Sequence, residues 1–415
     1  MTPVFCCGFE CGLANPHWTL GANATFVTSN VRSGARALRI QSNSGTGVNA
    51  TSITISTNKL VIRGYFRVNG AIIPSSKLHI LSGFFTGNYC GAILDGNAGG
   101  IGATRIYAGR NESVGATGID VVAQTWYRLD VSIDMSANPW LINVSVDGVA
   151  CGQATNAAAA NTMTNIFIGS DATFSAKTCD INFDDIIASS TLADFPLGAG
   201  YINHFVPTSD GTHNVAGTAD FQRTLTGTDI LNATTTAFQL IDDVPLESGA
   251  SVDWINMIAP PNATDYVECI FGPASGISTP TVAPRAVDII AGYHQAGATA
   301  GNMEIRMNDN GTTNVLYTAT GVIGVTTVAY ARKHYAANIA NGGAWTLSGA
   351  GNFNNLRVRF GSPASVDANP DQYLDCIMIE AEFDEFRYRH EETQQPYFGR
   401  TLVAESGQKN NIKLP

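Results

Sequence analysis

Apolar and polar residues alternate along "TWYRLDVSIDMSANPWLINVSVDGV", from Thr125 to Val149. Tyr127, Leu129, Val131 and Ile133 fall on one face, and Trp126, Arg128, Asp130, Ser132 and Asp134 on the other. A period of two signals a strand, because successive side chains point to opposite sides of a sheet. Ile142, Val144 and Val146 repeat the pattern, with Asn143, Ser145 and Asp147 between them. The linking residues Met135–Trp140 include Pro139, which cannot donate to a central ladder. Asp147-Gly148 makes a second tight turn. The stretch predicts an antiparallel meander with one packed face and one solvated face.

Similar runs recur. In the first half they are Ala37–Gln41, Leu60–Val68, Leu78–Phe85, Thr104–Ala108, Trp126–Asp134, Trp140–Asp147, Asn165–Gly169 and Cys179–Ile187. In the second half they are Phe238–Ile241, Val252–Ile258, Tyr266–Phe271, Ala286–Tyr293, Met303–Met307, Val315–Thr318, Thr326–Arg332, Leu356–Phe360 and Tyr373–Phe383. Turn residues separate them, which predicts sandwiches or jelly rolls. The one helix-like patch is the alanine run Asn156–Met163. Charged residues make up 14% of the chain, against about 25% in ordinary soluble domains. Glycine, Thr, Asn, Ser and Ala take their place, a mixture that suits strands, turns and covered surfaces.

The length, 415 residues, accommodates two or three domains. We divide it into a first sandwich (1–193), an extended connector lying along a surface (194–235), a second sandwich (236–384) and a charged C-terminal arm (385–415). The arm is expected to be held on its own domain or on a partner. Arg105–Asp134 and Glu304–Tyr335 echo each other, which suggests related topology in the two halves. The fold expected is all-β: two antiparallel β-sandwiches of jelly-roll type in tandem, with extended termini.

The net charge of −11 and the lack of a basic stripe argue against nucleic acid as a partner. No apolar run reaches the ~20 residues needed to span a bilayer. The N-terminus has no basic region followed by a long apolar one, so no secretory signal is expected and folding is placed in a cytosol. Cys90, Cys151, Cys179, Cys269 and Cys376 read as small buried hydrophobes. Cys6, Cys7 and Cys11 cluster, and two readings stay open: a zinc site with His17, or thiols able to form disulfides outside the cell. The spacing is not C-x-x-C and no second pair follows. His79, His204, His294 and His334 read as surface or satisfied core residues. The N-x-[ST] matches at Asn23, Asn143 and Asn262 carry no meaning without a signal peptide. "GGIGATR" (Gly99–Arg105) lacks the glycine spacing of a dinucleotide turn, and no other catalytic motif is present.

"TWYRLDVSID", "WLINVSVDGV", "NIFIGSD" (Asn165–Asp171) and "CDINFDDIIAS" (Cys179–Ser189) succeed one another as in a concanavalin A-like, laminin-G-like jelly roll. The opening "GFECGLANPHWTL…VRSGARALRI" resembles the first strands of such domains, and the resemblance runs from Phe5 to Ser189. "DFPLGAGYINHFVPTSDGTHN" and the second half resemble structural proteins of tailed bacteriophages. The resemblance implies adhesion and binding, in some members with calcium at the rim. Asp180, Asp184 and Asp185 would then be its ligands, or else Asp184-Asp185 simply end a strand and cap a turn. Glucanases of the same class pair acids two residues apart. "IEAEFDE" places Glu380, Glu382 and Asp384 on one strand face, though with Glu at the centre and Asp last.

Three functions follow in order. The first is a structural component of a tailed-phage virion, at the tail, neck, collar or capsid surface, located in the virion and assembled in the bacterial cytoplasm. Its partners would be other virion proteins and further copies of itself, clamped by "MTPVFCCGF" and the segment after Asp384. The second is a carbohydrate-binding or host-adhesion module, with Trp18, Trp126 and Trp140 as candidate platforms unless they pack in the core. The third is a glycoside hydrolase. The chain is taken as a non-enzyme without nucleic-acid or membrane partners; no catalytic, cofactor-binding or metal residue is assigned.

Overall fold

Strands occupy most of the chain, as the alternation predicts. The computed structural model describes residues 3–385 apart from 13–16, 43–47, 71–76, 97–103, 112, 171–178, 215–220, 224–228, 231–236, 243–253, 258–265, 275–276, 296–300, 309–312, 322–327, 339–340, 350 and 362–371. The first half contains β1 (Pro3–Cys7), β2 (Trp18–Leu20), β3 (Ala24–Val27), β4 (Ala37–Ser42), β5 (Val48–Ser52), β6 (Lys59–Val68), β7 (Lys77–Phe85), β8 (Asn88–Asp95), β9 (Thr104–Arg110), β10 (Ser113–Val121), β11 (Trp126–Asp134), β12 (Trp140–Val146), β13 (Val149–Asn156), β14 (Asn165–Ser170) and β15 (Cys179–Ser189). The second contains β16 (Gly200–Asp210), β17 (Phe221–Arg223), β18 (Asp229–Ile230), β19 (Ile255–Met257), β20 (Tyr266–Pro273), β21 (Ala286–Gln295), β22 (Gly301–Asn308), β23 (Thr313–Gly321), β24 (Ala329–Tyr335), β25 (Arg357–Gly361) and β26 (Gln372–Asp384).

The first half is a two-sheet antiparallel sandwich. One sheet runs β13-β12-β11-β6-β15-β4-β3, with β1 also on β15; the other runs β10-β9-β8-β7-β14-β5-β2. In the hairpin β11–β12, Leu129 faces Val146, Val131 faces Val144 and Ile133 faces Ile142. These side chains join one apolar cluster between the sheets with Phe5, Phe66, Leu81, Trp140 and Phe183. The neighbours β6–β15 and β7–β14 lie far apart in sequence, the crossovers a jelly roll requires.

The second half is a forked antiparallel sheet. β26 pairs with β21 along its length; its other edge pairs with β16 from Ile379 to Asp384 and with β19 from Gln372 to Leu374. From β16 the order continues through β20, β25 and β22 to β23; from β19 it continues through β17 to β18. A second cluster, including Phe205, Ile289, Trp345, Phe360, Ile377 and Phe383, draws on both wings.

Several expectations are corrected. Gly200–Asp210 is no surface connector but the central strand β16; Ile202 and Phe205 are buried, and the Pro207 ring sits where the pairing with β20 shifts register. The alanine run is not helical: 157–162 crosses irregularly, Met163 bridges to Thr57, and the Ala159 carbonyl accepts from the Trp140 indole. Phe238–Leu240 is a single 3-10 turn rather than a strand. "MTPVFCCGF" contributes β1, which pairs with β15 of its own chain. The echoing segments each fold as a hairpin, β9–β10 and β22–β23, followed by a strand that pairs elsewhere, β11 and β24. The C-terminal arm beyond Glu385 lies outside the described residues. No helix among the described residues is long and apolar enough to cross a membrane.

Candidate functional site

Alternation gives β26 two different buried faces. Ile377, Ile379, Ala381 and Phe383 enter the second cluster, whereas Met378, Glu380 and Glu382 point the other way. In β6, Leu60, Ile62, Phe66 and Val68 enter the first cluster, leaving Val61 and Arg63 on the outer face. These outer faces meet. Cys6, Val61, Ile187, Leu197, Ile202 and Ala286 form a small apolar cluster in the seam.

Charge fills the rest of the seam. The fully buried Arg63 donates from Nη1 to Glu382 Oε1 at 2.8 Å and from Nη2 to the Asp185 carbonyl at 3.2 Å. Arg285 donates from Nε to Glu382 Oε2 at 2.7 Å and from Nη2 to Oε1. A Cβ on Gly200 would strike the charged ends of Arg63, Glu382 and Arg285, so a larger residue there would displace this ion network. Arg32 lies 3.4 Å over the Tyr65 ring and reaches Asp185 and Glu385, each at 2.5 Å. Glu10 accepts from the Ala35 amide and pairs with His204 at 3.2 Å. His334 joins Asp288 (2.8 Å) to the Pro3 carbonyl (2.9 Å). Burial pushes the Glu380 carboxyl up to about 8, helped by Glu10 and Asp288. Burial also raises Asp288, but Arg332 and His334 outweigh it and hold that carboxyl well below the usual range.

A second polar feature lies on the rim of the first sandwich, where edge strands β10 and β13 approach. β10 shifts register against β9 between Val114 and Gly118, and β13 shifts against β12 between Asn143 and Ser145. Such bulges re-aim side chains at a sheet edge. They leave a groove of about 400 Å3 whose polar lining includes Arg110, Asn111, Ser113, Gln153, Thr155 and Asn156. Arg110 donates to Asn156 Oδ1 at 2.8 Å and to Asn88 Oδ1 at 3.3 Å, and its guanidinium lies 5.4 Å over Trp140. Arg110 Nε and Asn156 Nδ2 have no hydrogen-bond partner. A separate cavity beside Phe205, Phe271 and Phe353 is apolar and only about 60 Å3.

The residues singled out in the sequence find these places. Trp18 and Trp140 are core residues, and Trp126 is half-buried outside the groove. Asp180 is taken by Arg39 and Asn69. Asp184 accepts from the amides of Arg32 and Ser33, and Asp185 from Arg32, Ser33 and Ile202. The two do not end a strand; they form a buried bulge within β15, with Asp185 at φ 51°. Glu380 and Glu382 share a face as predicted, but that face is the seam. Asp384 is half-buried at the end of β26. His79 is satisfied by Ser82 and Asn111, and His294 stacks on Tyr373 and bonds Asp375. All eight cysteines are buried, and none forms a disulfide. Asn23 is exposed, Asn143 donates to Ser132, and Asn262 lies outside the described residues. Sequence reasoning missed the groove, whose residues are ordinary for a strand edge, and missed Arg63 and Arg285, whose partner lies in a distant strand.

No family model matches the chain, and no curated protein matches it. Similar solved structures include "Cellulose induced protein, Cip1", with 12% identity, covering 45% of this chain and 97% of that one, at a TM-score of 0.34. A sialidase matches at 11% identity over 47% of this chain, which spans 19% of the sialidase, at a TM-score of 0.31. Domain 4 of AbnA, a GH43 extracellular arabinanase from Geobacillus stearothermophilus in complex with arabinotriose, matches at 11% identity over 45% of this chain and 91% of that one, at a TM-score of 0.29. Likenesses this distant carry no argument about function.

Proposed function

We propose that the protein is a carbohydrate-binding module that takes a neutral glycan in the groove between β10 and β13. The observation that carries this reading is the groove's chemistry. Its volume falls within the ~300–1,000 Å3 typical of small-molecule sites. Amides and hydroxyls on its walls both donate and accept, as sugar hydroxyls require. With Trp140 beneath Arg110 in the core, recognition rests on hydrogen bonds rather than on an exposed ring.

Binding is favoured over hydrolysis. Glu382 has both oxygens occupied by arginines, and Glu380 is fully buried, so neither reaches a scissile bond. Host adhesion through a glycan is compatible with a place in a tailed-phage virion, the setting that the sequence resemblance implies. The N-terminal segment enlisted there as a clamp forms strand β1 of this chain.

A glycan array followed by calorimetry on the full chain tests the reading, with arabinotriose among the probes. Gln153→Ala and Thr155→Ala should each weaken binding tenfold or more, about 1.4 kcal/mol, with the thermal midpoint unchanged. An array without hits, or variants that bind like wild type, would sink it.

A further inference from the structure

Three fully buried side chains from distant parts of the chain converge where β1 meets the second half. Cys7 ends β1, His17 immediately precedes β2, and Glu380 belongs to β26. One ligand atom from each lies within 4.8 Å of the other two. Three of their polar atoms have no hydrogen-bond partner. Neither ring nitrogen of His17 has a hydrogen-bond partner, and neither does Glu380 Oε2. Glu380 Oε1, by contrast, accepts from the Glu10 amide at 2.9 Å, which fixes the carboxylate in place.

The distances discriminate. His17 Nε2 is 3.8 Å from Glu380 Oε2 and 3.7 Å from Asp288 Oδ2. Both are too long for hydrogen bonds. Two ligands on one tetrahedral ion, with bonds of ~2.0–2.3 Å, stand roughly 3.3–3.6 Å apart, so His17 and Glu380 need only a small contraction to share an ion.

The sulfur is also held in place. The Phe9 amide donates to Cys7 Sγ at 3.3 Å. Phe9 adopts φ 64°, unusual for a side chain of its size, in the turn that points its amide back at the sulfur. Asp288 stands beside the three as an outer partner, since Arg332 and His334 already hold its oxygens.

We propose that Cys7, His17 and Glu380 form a transition-metal site of the zinc class that staples the first sandwich to the second half. A sulfur, a nitrogen and an oxygen suit zinc and its neighbours; calcium and magnesium demand all-oxygen shells. All three side chains are fully buried, which leaves a bound ion no open face for a substrate. The assignment departs from the sequence expectation of no metal. Cysteine spacing alone could not reveal a ligand supplied by residue 380.

The test uses the full chain grown with zinc and purified without chelator. Elemental analysis should find one equivalent of metal per chain. The zinc absorption edge fine structure should show one sulfur at about 2.3 Å and nitrogen or oxygen ligands at about 2.0 Å. Cobalt in place of zinc should give a thiolate charge-transfer band that is absent in Cys7→Ser. Folded His17→Gln and Glu380→Gln proteins should retain less than a tenth of the metal. The wild-type spectrum needs no variant to fold. Wild-type protein that stays metal-free with added zinc, a shell of oxygen alone, or full loading in all three variants would each overturn the proposal.

Discussion

His79 lies against Tyr89, with Nδ1 on Ser82 Oγ and Nε2 on the Asn111 carbonyl. Burial lowers its pKa to about 4, more than the Asn111 bond raises it. Between pH 6.5 and 4 the unfolded chain takes up a proton there that the folded chain refuses. Stability from this residue is therefore complete above pH 6.5 and is lost as pH falls towards 4. The full effect is on the order of 3 kcal/mol. Urea titrations at pH 7 and pH 4.5 should show a smaller acid loss in His79→Gln than in wild type; equal losses would refute the assignment. The sequence reading of His79 as a satisfied core residue holds. Glu380 and Glu382 were legible only in part: alternation put them on one face, but Glu382's partners Arg63 and Arg285 stand 319 and 97 residues away.

At the scale of elements, β1 matters more than its five residues suggest. Its backbone pairs with β15 from Ile186 to Ser189. Phe5 packs in the first core beneath Arg332 of β24, and the Pro3 carbonyl receives His334. A chain lacking residues 1–9 should lose amide-exchange protection in both β15 and β24, read by hydrogen exchange and mass spectrometry. Protection lost in β15 alone would mean that β1 belongs only to the first sandwich. Strand positions were legible wherever alternation was long: β11 starts and ends at the predicted residues, and β26 within one. β16 was misread because both its faces are buried and Pro207 imitates a linker signal. The chain reads as half-solvated only where one face meets water.

For the whole molecule, the buried seam makes the two apolar clusters interdependent. Removing one member of a buried ion pair leaves the other uncompensated, at a cost of about 3–5 kcal/mol, whereas replacing both with apolar residues is closer to neutral. Glu382→Met, which strips both Arg63 and Arg285 of their partner, should therefore split a single calorimetric unfolding transition into two, and adding Arg63→Met and Arg285→Met should partly restore it. A single unshifted transition in Glu382→Met would show that the halves do not depend on this contact. The low charge content fits the same picture, since the outer faces of β6 and β26 are covered by each other rather than by water.

Alternation and turn residues by themselves determined that this chain folds into antiparallel sheets and where most strands lie, because the pleat imposes its period on neighbours in sequence. Only the tertiary structure decided which faces meet. It made β16 central, turned Glu380 and Glu382 inward, drew the rim groove from two bulged edges, and brought Cys7, His17 and Glu380 together. Those outcomes depend on pairings between residues tens to hundreds of positions apart, whose energies leave no local period in the chain.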